Sequence, residues 1–409
     1  MKYNTSKLAS GLRIIHLPSA SPVVYCGFQI AAGTRHELPG EEGLAHFCEH
    51  MTFKGTHRRT AIQIINALEG LGGELNAYTN KESTVFYAAI WRDHLRSAVD
   101  VLADMVFHSE YPQAEIDREV EVICDEIESY NDSPAELIYD EFENLLFEGH
   151  PLGHNILGQA DQLRTYTTDD ALRFVRQHYR PDNTVFFAYG DIDFNRLCRL
   201  VEEVMGEDID HGAASTPHTM TTTLLPKPGV VVREKGTHQA HVMIGTPAYH
   251  THHERRMALY LLNNILGGPS MNARLNLSLR ERHGLVYTVE SSMVCYGDTG
   301  VWSTYFGCDP HDVNRCRRLV RHELDRLIRQ PLSKSRLAAA KQQLKGQIAI
   351  ACDSREQFAL DFGKAYLFDG RERHLDDLFK HIDLLTAEDL QQVACELFAE
   401  DRLTTLIYH

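Results

Sequence analysis

The sequence lacks any apolar run approaching the ~20 residues that a membrane-spanning helix requires. Its opening stretch, MKYNTSKLASGLRIIHLPSASP, contains no apolar core of signal-peptide length. Neither a membrane anchor nor a secretory leader is therefore expected, and the chain reads as cytoplasmic. Basic charge is also scarce: 41 Lys and Arg against 57 Asp and Glu leave a formal net charge of −16. That balance speaks against a nucleic-acid or anionic-membrane surface, since both need clustered Lys and Arg. Nine cysteines are present, but they form no CxxC pair and no framework spacing. An odd, irregular set suits a reducing compartment rather than a disulfide scaffold.

What is present suits a large folded chain. At roughly 100–200 residues per domain, 409 residues predict two or three domains. Hydrophobic residues at 43% and charged residues at 24% are enough to bury a sizeable core. Residues 206–229 are rich in Gly, Pro, Ser and Thr without apolar periodicity, and read as a linker at the midpoint of the chain. The expected division is 1–210, a linker at 211–229, and 230–409. Each half opens with two strand-like runs (GLRIIHL and VVYCGFQIAAG; GVVVRE and AHVMIGTPAY), passes through helical stretches, returns to strand-like runs and ends in long helical periodicity. The expected fold class is α+β: two homologous domains, each an antiparallel-rich mixed sheet with helices packed on one face.

The charge is unevenly spread. Residues 1–210 hold 17 Lys and Arg against 35 Asp and Glu, a net of −18, whereas residues 211–409 carry +2. The stretch Glu110 to Glu148 alone contains 14 acidic residues and one arginine, Arg118. A solvated helix face is the ordinary fate of such a run.

Residues 46–50 read His46-Phe47-Cys48-Glu49-His50. On a helix, His46 and His50 share a face and can present two imidazole nitrogens to one metal ion, while Glu49 reaches the rim of that face. This is the inverted zinc motif H-x-x-E-H, in which the glutamate is free to take a proton from metal-activated water. Cys48 falls about 200° around the helix from His46 and reads as a small buried side chain. A third ligand is needed, and the acidic stretch offers candidates. Glu119 and Glu126 are seven apart, hence on one helix face; one can bind the metal while the other holds a ligand histidine.

The runs GLAHFCEHMTFKGT (43–56), GGELNAYTNKESTVFY (72–87) and REVEVICDEIESYNDSP (118–134) together resemble the pitrilysin/insulin-degrading-enzyme family of zinc peptidases, which includes the mitochondrial processing peptidases. The resemblance extends over nearly the whole chain and is nearest to the two-domain members. It implies one zinc ion per chain held by His46, His50 and Glu126, the last following His50 by 76 positions. It gives Glu49 the role of general base and Glu119 that of the supporting carboxylate. It also implies that the strand after Gly72-Gly73 is a sheet edge to which a peptide adds as an extra strand, with Asn76 and Ala77 against the substrate backbone.

The second half has no further H-x-x-E-H. Its stretch LRERHGLVYT, Leu279-Arg280-Glu281-Arg282-His283-Gly284-Leu285-Val286-Tyr287-Thr288, reads locally as a helix ending at Gly284 with a basic last turn. It also resembles the family motif in which an arginine, and a tyrosine seven positions later, reach the active site. Arg280 and Tyr287 fit, with Arg282 the neighbouring alternative; their implied role is to hold the substrate and hydrogen-bond to the developing oxyanion. The resemblance further implies a homodimer with the active site completed in trans around a closed chamber. Peptides and unfolded segments, preferentially basic ones, are the expected partners. The competing expectation is a non-catalytic or scaffold subunit of a peptidase-like heterodimer, and the joint presence of His46, Glu49, His50 and Glu126 opposes it.

Overall fold

The computed structural model describes residues 2–206 and 228–409. The expected linker, 211–229, lies outside the described residues except for its last two positions.

The described chain forms two compact units. The first comprises residues up to 128, then 154–206 and 351–374; the second comprises 129–153, 228–350 and 375–409. Each unit is thus discontinuous in sequence, and each contains one helical segment from the opposite half of the chain.

The first unit is built on strands β1 (Asn4–Lys7), β2 (Arg13–Pro18), β3 (Val23–Ile30), β4 (Glu74–Thr79), β5 (Thr84–Trp91) and β6 (Thr184–Gly190). They lie in the order β1-β2-β6-β3-β5-β4, with only the β2–β6 pair parallel. Side chains alternate between the two faces of a strand, and this sheet buries both. Ile14, Phe28, Phe86 and Phe186 point into one core, completed by α1 (Leu44–Thr52), α2 (Ala61–Glu69), α3 (Leu95–His108) and α4 (Gln113–Asn131). Their alternating neighbours Ile15, Val85 and Phe187 pack against Phe358, Phe362 and Leu367 of the helix Arg355–Asp369. Among the described residues β4 is a sheet edge: it pairs only with β5, in a register that sets Asn76 opposite Tyr87 and Ala77 opposite Phe86.

The second unit holds β7 (Gly229–Arg233), β8 (Ala240–Ala248), β9 (Val286–Cys295), β10 (Gly300–Cys308) and β11 (Thr404–Tyr408), ordered β7-β11-β8-β10-β9. Its first pair is parallel and the rest antiparallel. That is the order and orientation of β2-β6-β3-β5-β4, so the two sheets share one connectivity, and β1 is an addition to the first. One face carries Met243, Tyr305 and Leu406 against Leu137, Ile138 and Phe142 of α5 (Pro134–Leu146). On the other, Trp302 packs against Phe398, the rings tilted at 45° with centroids 4.4 Å apart. The two-domain α+β architecture is as expected, with one addition: in each unit a helix supplied by the opposite half of the chain covers the second face of the sheet. Among the described residues, no helix is long and apolar enough to cross a membrane.

Candidate metal centre

α1 carries the H-x-x-E-H run and is buried along nearly its whole length. Leu44, Ala45, Phe47, Cys48 and Met51 enter the core, which fixes the remaining face toward α4. The Cys48 sulfur points away from the histidines, 4.0 Å from the Ala171 carbonyl. On the free face the His46 and His50 rings stand 4.6 Å apart between centroids.

α4 places its carboxylates by the same periodicity. Ile116, Glu119, Val120, Ile123 and Cys124 form its buried stripe, and Glu126 continues the line seven residues after Glu119. Glu126 Oε2 comes within 3.5 Å of His50 Nε2, and Glu126 Oε1 within 3.9 Å of His46 Nε2. His46, His50 and Glu126 each offer a ligand atom, all within 4.8 Å of one another; among the described residues they are the sole such group of three or more.

This donor set fits zinc. A tetrahedral ion bound at about 2.0–2.2 Å separates its ligand atoms by about 3.3 Å, close to the separations present. Two imidazoles and one carboxylate leave a fourth position open, as in catalytic rather than structural sites. The tautomer is also suitable. His50 Nδ1 lies 3.0 Å from Glu119 Oε1; donating its N–H there leaves the Nε2 lone pair for a metal. Lys54 Nζ contacts the other Glu119 oxygen at 2.5 Å.

The electrostatics follow the same arrangement. Burial, aided by the neighbouring His50, holds the His46 pKa down to about 3, so this ring stays neutral. Burial also opposes protonation of His50, but Glu119, Glu49 and Glu126 outweigh it and the net shift is upward. For Glu119, burial raises the pKa while the His50 and Lys54 hydrogen bonds pull it down further, leaving an ionised carboxylate. Glu49 is 8% exposed. Burial lifts its carboxyl pKa, partly offset by a hydrogen bond from Thr79 and by His50, and its Oε2 is buried with no hydrogen-bond partner among the described residues. A desolvated carboxylate with a vacant acceptor beside three metal donors is equipped to take a proton.

Asn76, exposed, and Ala77, half-buried, lie on the edge strand β4, against which α1 packs. Arg280 and Tyr287 belong to the second unit. A π-helical turn, Asn276–Glu281, carries Arg280 and closes at Gly284 (φ +62°), where the chain turns into β9. The Arg280 guanidinium carbon sits 5.4 Å from the centroid of the Tyr287 ring. Tyr287 is 81% exposed. Arg282 is exposed two positions further on, so it is Arg280 that stacks on Tyr287.

Sequence reasoning missed Lys54 and Thr79. Lys54 had a usable signal, since it follows His50 by four positions and continues the metal face just past the helix end. Thr79 sits two positions beyond Ala77, on the same side of β4.

Residues 14–160 match the insulinase family, peptidase family M16, and residues 165–344 match the peptidase M16 inactive domain. The chain is 33% identical over 404 residues to an uncharacterized zinc protease, YmxG, of Bacillus subtilis (strain 168), covering 97% of this chain and 96% of that protein. It is 29% identical over 402 residues to the mitochondrial-processing peptidase subunit beta of Bos taurus, covering 97% and 81%. The crystal structure of a protease from Helicobacter pylori superposes with a TM-score of 0.91 at 22% identity, over 100% of this chain and 99% of that one, and shares its fold.

Proposed function

Starting from a chain that belongs to the insulinase (M16) family of peptidases, we propose that it is a zinc-dependent endopeptidase cleaving peptides and unfolded polypeptide segments inside a closed chamber. The observation that carries this reading is the convergence of His46, His50 and Glu126 donor atoms within 4.8 Å, beside the unpaired buried oxygen of Glu49. A zinc ion held by these three residues would supply Lewis acidity, lowering the pKa of water and polarising a peptide carbonyl.

The protein's own groups do the rest. A peptide adds to the free edge of β4, held by main-chain hydrogen bonds near Asn76 and Ala77. This mode of binding tolerates many side chains and requires an unfolded segment. Glu49 accepts the proton of the attacking water and delivers it to the leaving amine nitrogen. Its raised pKa makes it a stronger base than an exposed glutamate. Glu119 and Lys54 hold the His50 ring in orientation. Arg280 and Tyr287, supplied by the second subunit of a homodimer, hold the substrate and donate hydrogen bonds to the developing oxyanion. Exposed carboxylates at Asp125 and Glu128 on α4 favour basic peptides, a preference that salt weakens.

Metal analysis of the purified protein tests the reading. One zinc per chain in the wild type, with loss of zinc and peptidase activity in His50→Ala, is the expected result. A wild type that retains no zinc and cleaves no peptide would support a non-catalytic subunit instead.

A further inference from the structure

The helix bearing both histidines starts without a cap of its own. Its N-cap is Gly43, at φ +92° and with no side chain to offer. No larger residue fits: a Cβ there would lie 2.8 Å from Gly158 Cα and 2.8 Å from the Leu157 carbonyl oxygen. The unpaired N–H groups of the first turn must therefore find an acceptor elsewhere. Glu37 provides it. Its Oε2 accepts from the Gly43 N–H at 3.0 Å and its Oε1 from the Ala45 N–H at 2.8 Å. His154 Nε2 stands 2.8 Å from Oε2, and the Glu37 side chain is wholly shielded from solvent. A negative carboxylate at this end also suits the helix dipole.

The contacts continue beyond this pair. The Lys81 ammonium donates to the His154 carbonyl, while the Lys81 carbonyl accepts from the Arg35 N–H at 2.9 Å. Lys81 belongs to the turn joining the edge strand β4 to β5. One connected path therefore runs from that turn, through His154 and Glu37, into the first turn of α1. His46 is the third residue of α1 and lies within this first turn, whereas His50 lies one turn further on.

We propose that Glu37 and His154 are positioning residues for the metal centre: they cap α1 and so fix His46 at the spacing that binding with His50 and Glu126 requires. Fraying of an uncapped first turn would move His46 while leaving His50 in place, so the effect falls on metal affinity. The inference rests on the reading of His46, His50 and Glu126 as zinc ligands.

The test is a zinc titration of the metal-stripped, purified full chain against a chromophoric chelator, with thermal midpoints of the metal-free proteins measured alongside. Glu37→Gln keeps the shape but loses the charge and one acceptor, and is expected to raise the zinc Kd by roughly 10- to 100-fold, as loss of an orienting partner does. His154→Ala is expected to weaken zinc by roughly tenfold, whereas His154→Gln, which keeps a donor for Glu37, stays within about threefold of wild type. If Glu37→Gln does not fold, the His154 pair decides. A lowered midpoint with unchanged zinc affinity in Glu37→Gln, or equal affinities for His154→Ala and His154→Gln, would show a merely structural clamp and overturn the inference. A wild type that binds no zinc would overturn the metal reading and this inference with it.

Discussion

Glu119→Gln tests how the metal face is held. The Glu119 carboxylate bridges His50 Nδ1 at 3.0 Å and Lys54 Nζ at 2.5 Å, with its own side chain 10% exposed. The substitution preserves volume and one acceptor but removes the charge. A hydrogen bond to a charged group contributes about 1.5–3 kcal/mol against about 0.5–1.5 for a neutral pair, so His50 loses about 1–1.5 kcal/mol of orientation and basicity. At about 1.4 kcal/mol per tenfold, that alone weakens zinc about tenfold, and misorientation of the ring carries the total toward 100-fold. The metal-free fold changes little, because Lys54 can turn to water from a site where its side chain is already 27% exposed, and the cost of burying a carboxylate disappears. The assay is chelator competition for zinc, paired with a thermal midpoint in excess chelator. A zinc Kd within about twofold of wild type, well below the loss expected on removing such a partner, would refute the reasoning, as would a metal-free midpoint that collapses.

Two further predictions follow from exposure and burial. Tyr287 is 81% exposed, so Tyr287→Phe should leave stability within about 0.5 kcal/mol while lowering kcat roughly 10²- to 10³-fold through loss of an oxyanion donor; an unchanged kcat would remove Tyr287 from the mechanism. His178 is buried against Phe174, with ring centroids 4.6 Å apart, and burial, with His36 and Arg180 nearby, holds its pKa down to about 3 from 6.5. Both states are neutral above pH 6.5. Below it the unfolded chain takes up a proton that the native state refuses until about pH 3, so stability falls as pH drops through this window. The loss at pH 5 is about 2 kcal/mol. Urea unfolding at pH 7 and pH 5 should show His178→Phe losing about that much less than wild type, and equal losses would contradict the assignment.

How much of this was legible in the sequence depends on the range over which each feature is set. His46, Glu49 and His50 could be read directly, because the i, i+4 relation is a local property of a helix. Glu119 and Glu126 were legible as a pair on one face, but which of them meets the metal was not, since that depends on how α4 packs against α1; only the family resemblance separated their roles. The edge position of β4 likewise follows from pairing across the whole sheet. α5 was visible only as part of one long helical stretch, 114–147, and the helix Arg355–Asp369 was not read at all; local periodicity carries no sign of which sheet a helix will cover, so the exchange between the two units was not legible either. Glu37 and His154 were silent for a related reason. The cap of α1 comes from a carboxylate six residues before Gly43 and from a loop far along the chain, a pairing that no local motif encodes.

The most direct test of the central claim compares peptide cleavage by wild type and Glu49→Gln at equal, measured zinc occupancy, using a quenched peptide library. If His46, His50 and Glu126 hold the metal and Glu49 moves the proton, both proteins bind one zinc and the variant's rate falls by roughly 10²- to 10⁴-fold. Equal cleavage at equal zinc content would contradict the account.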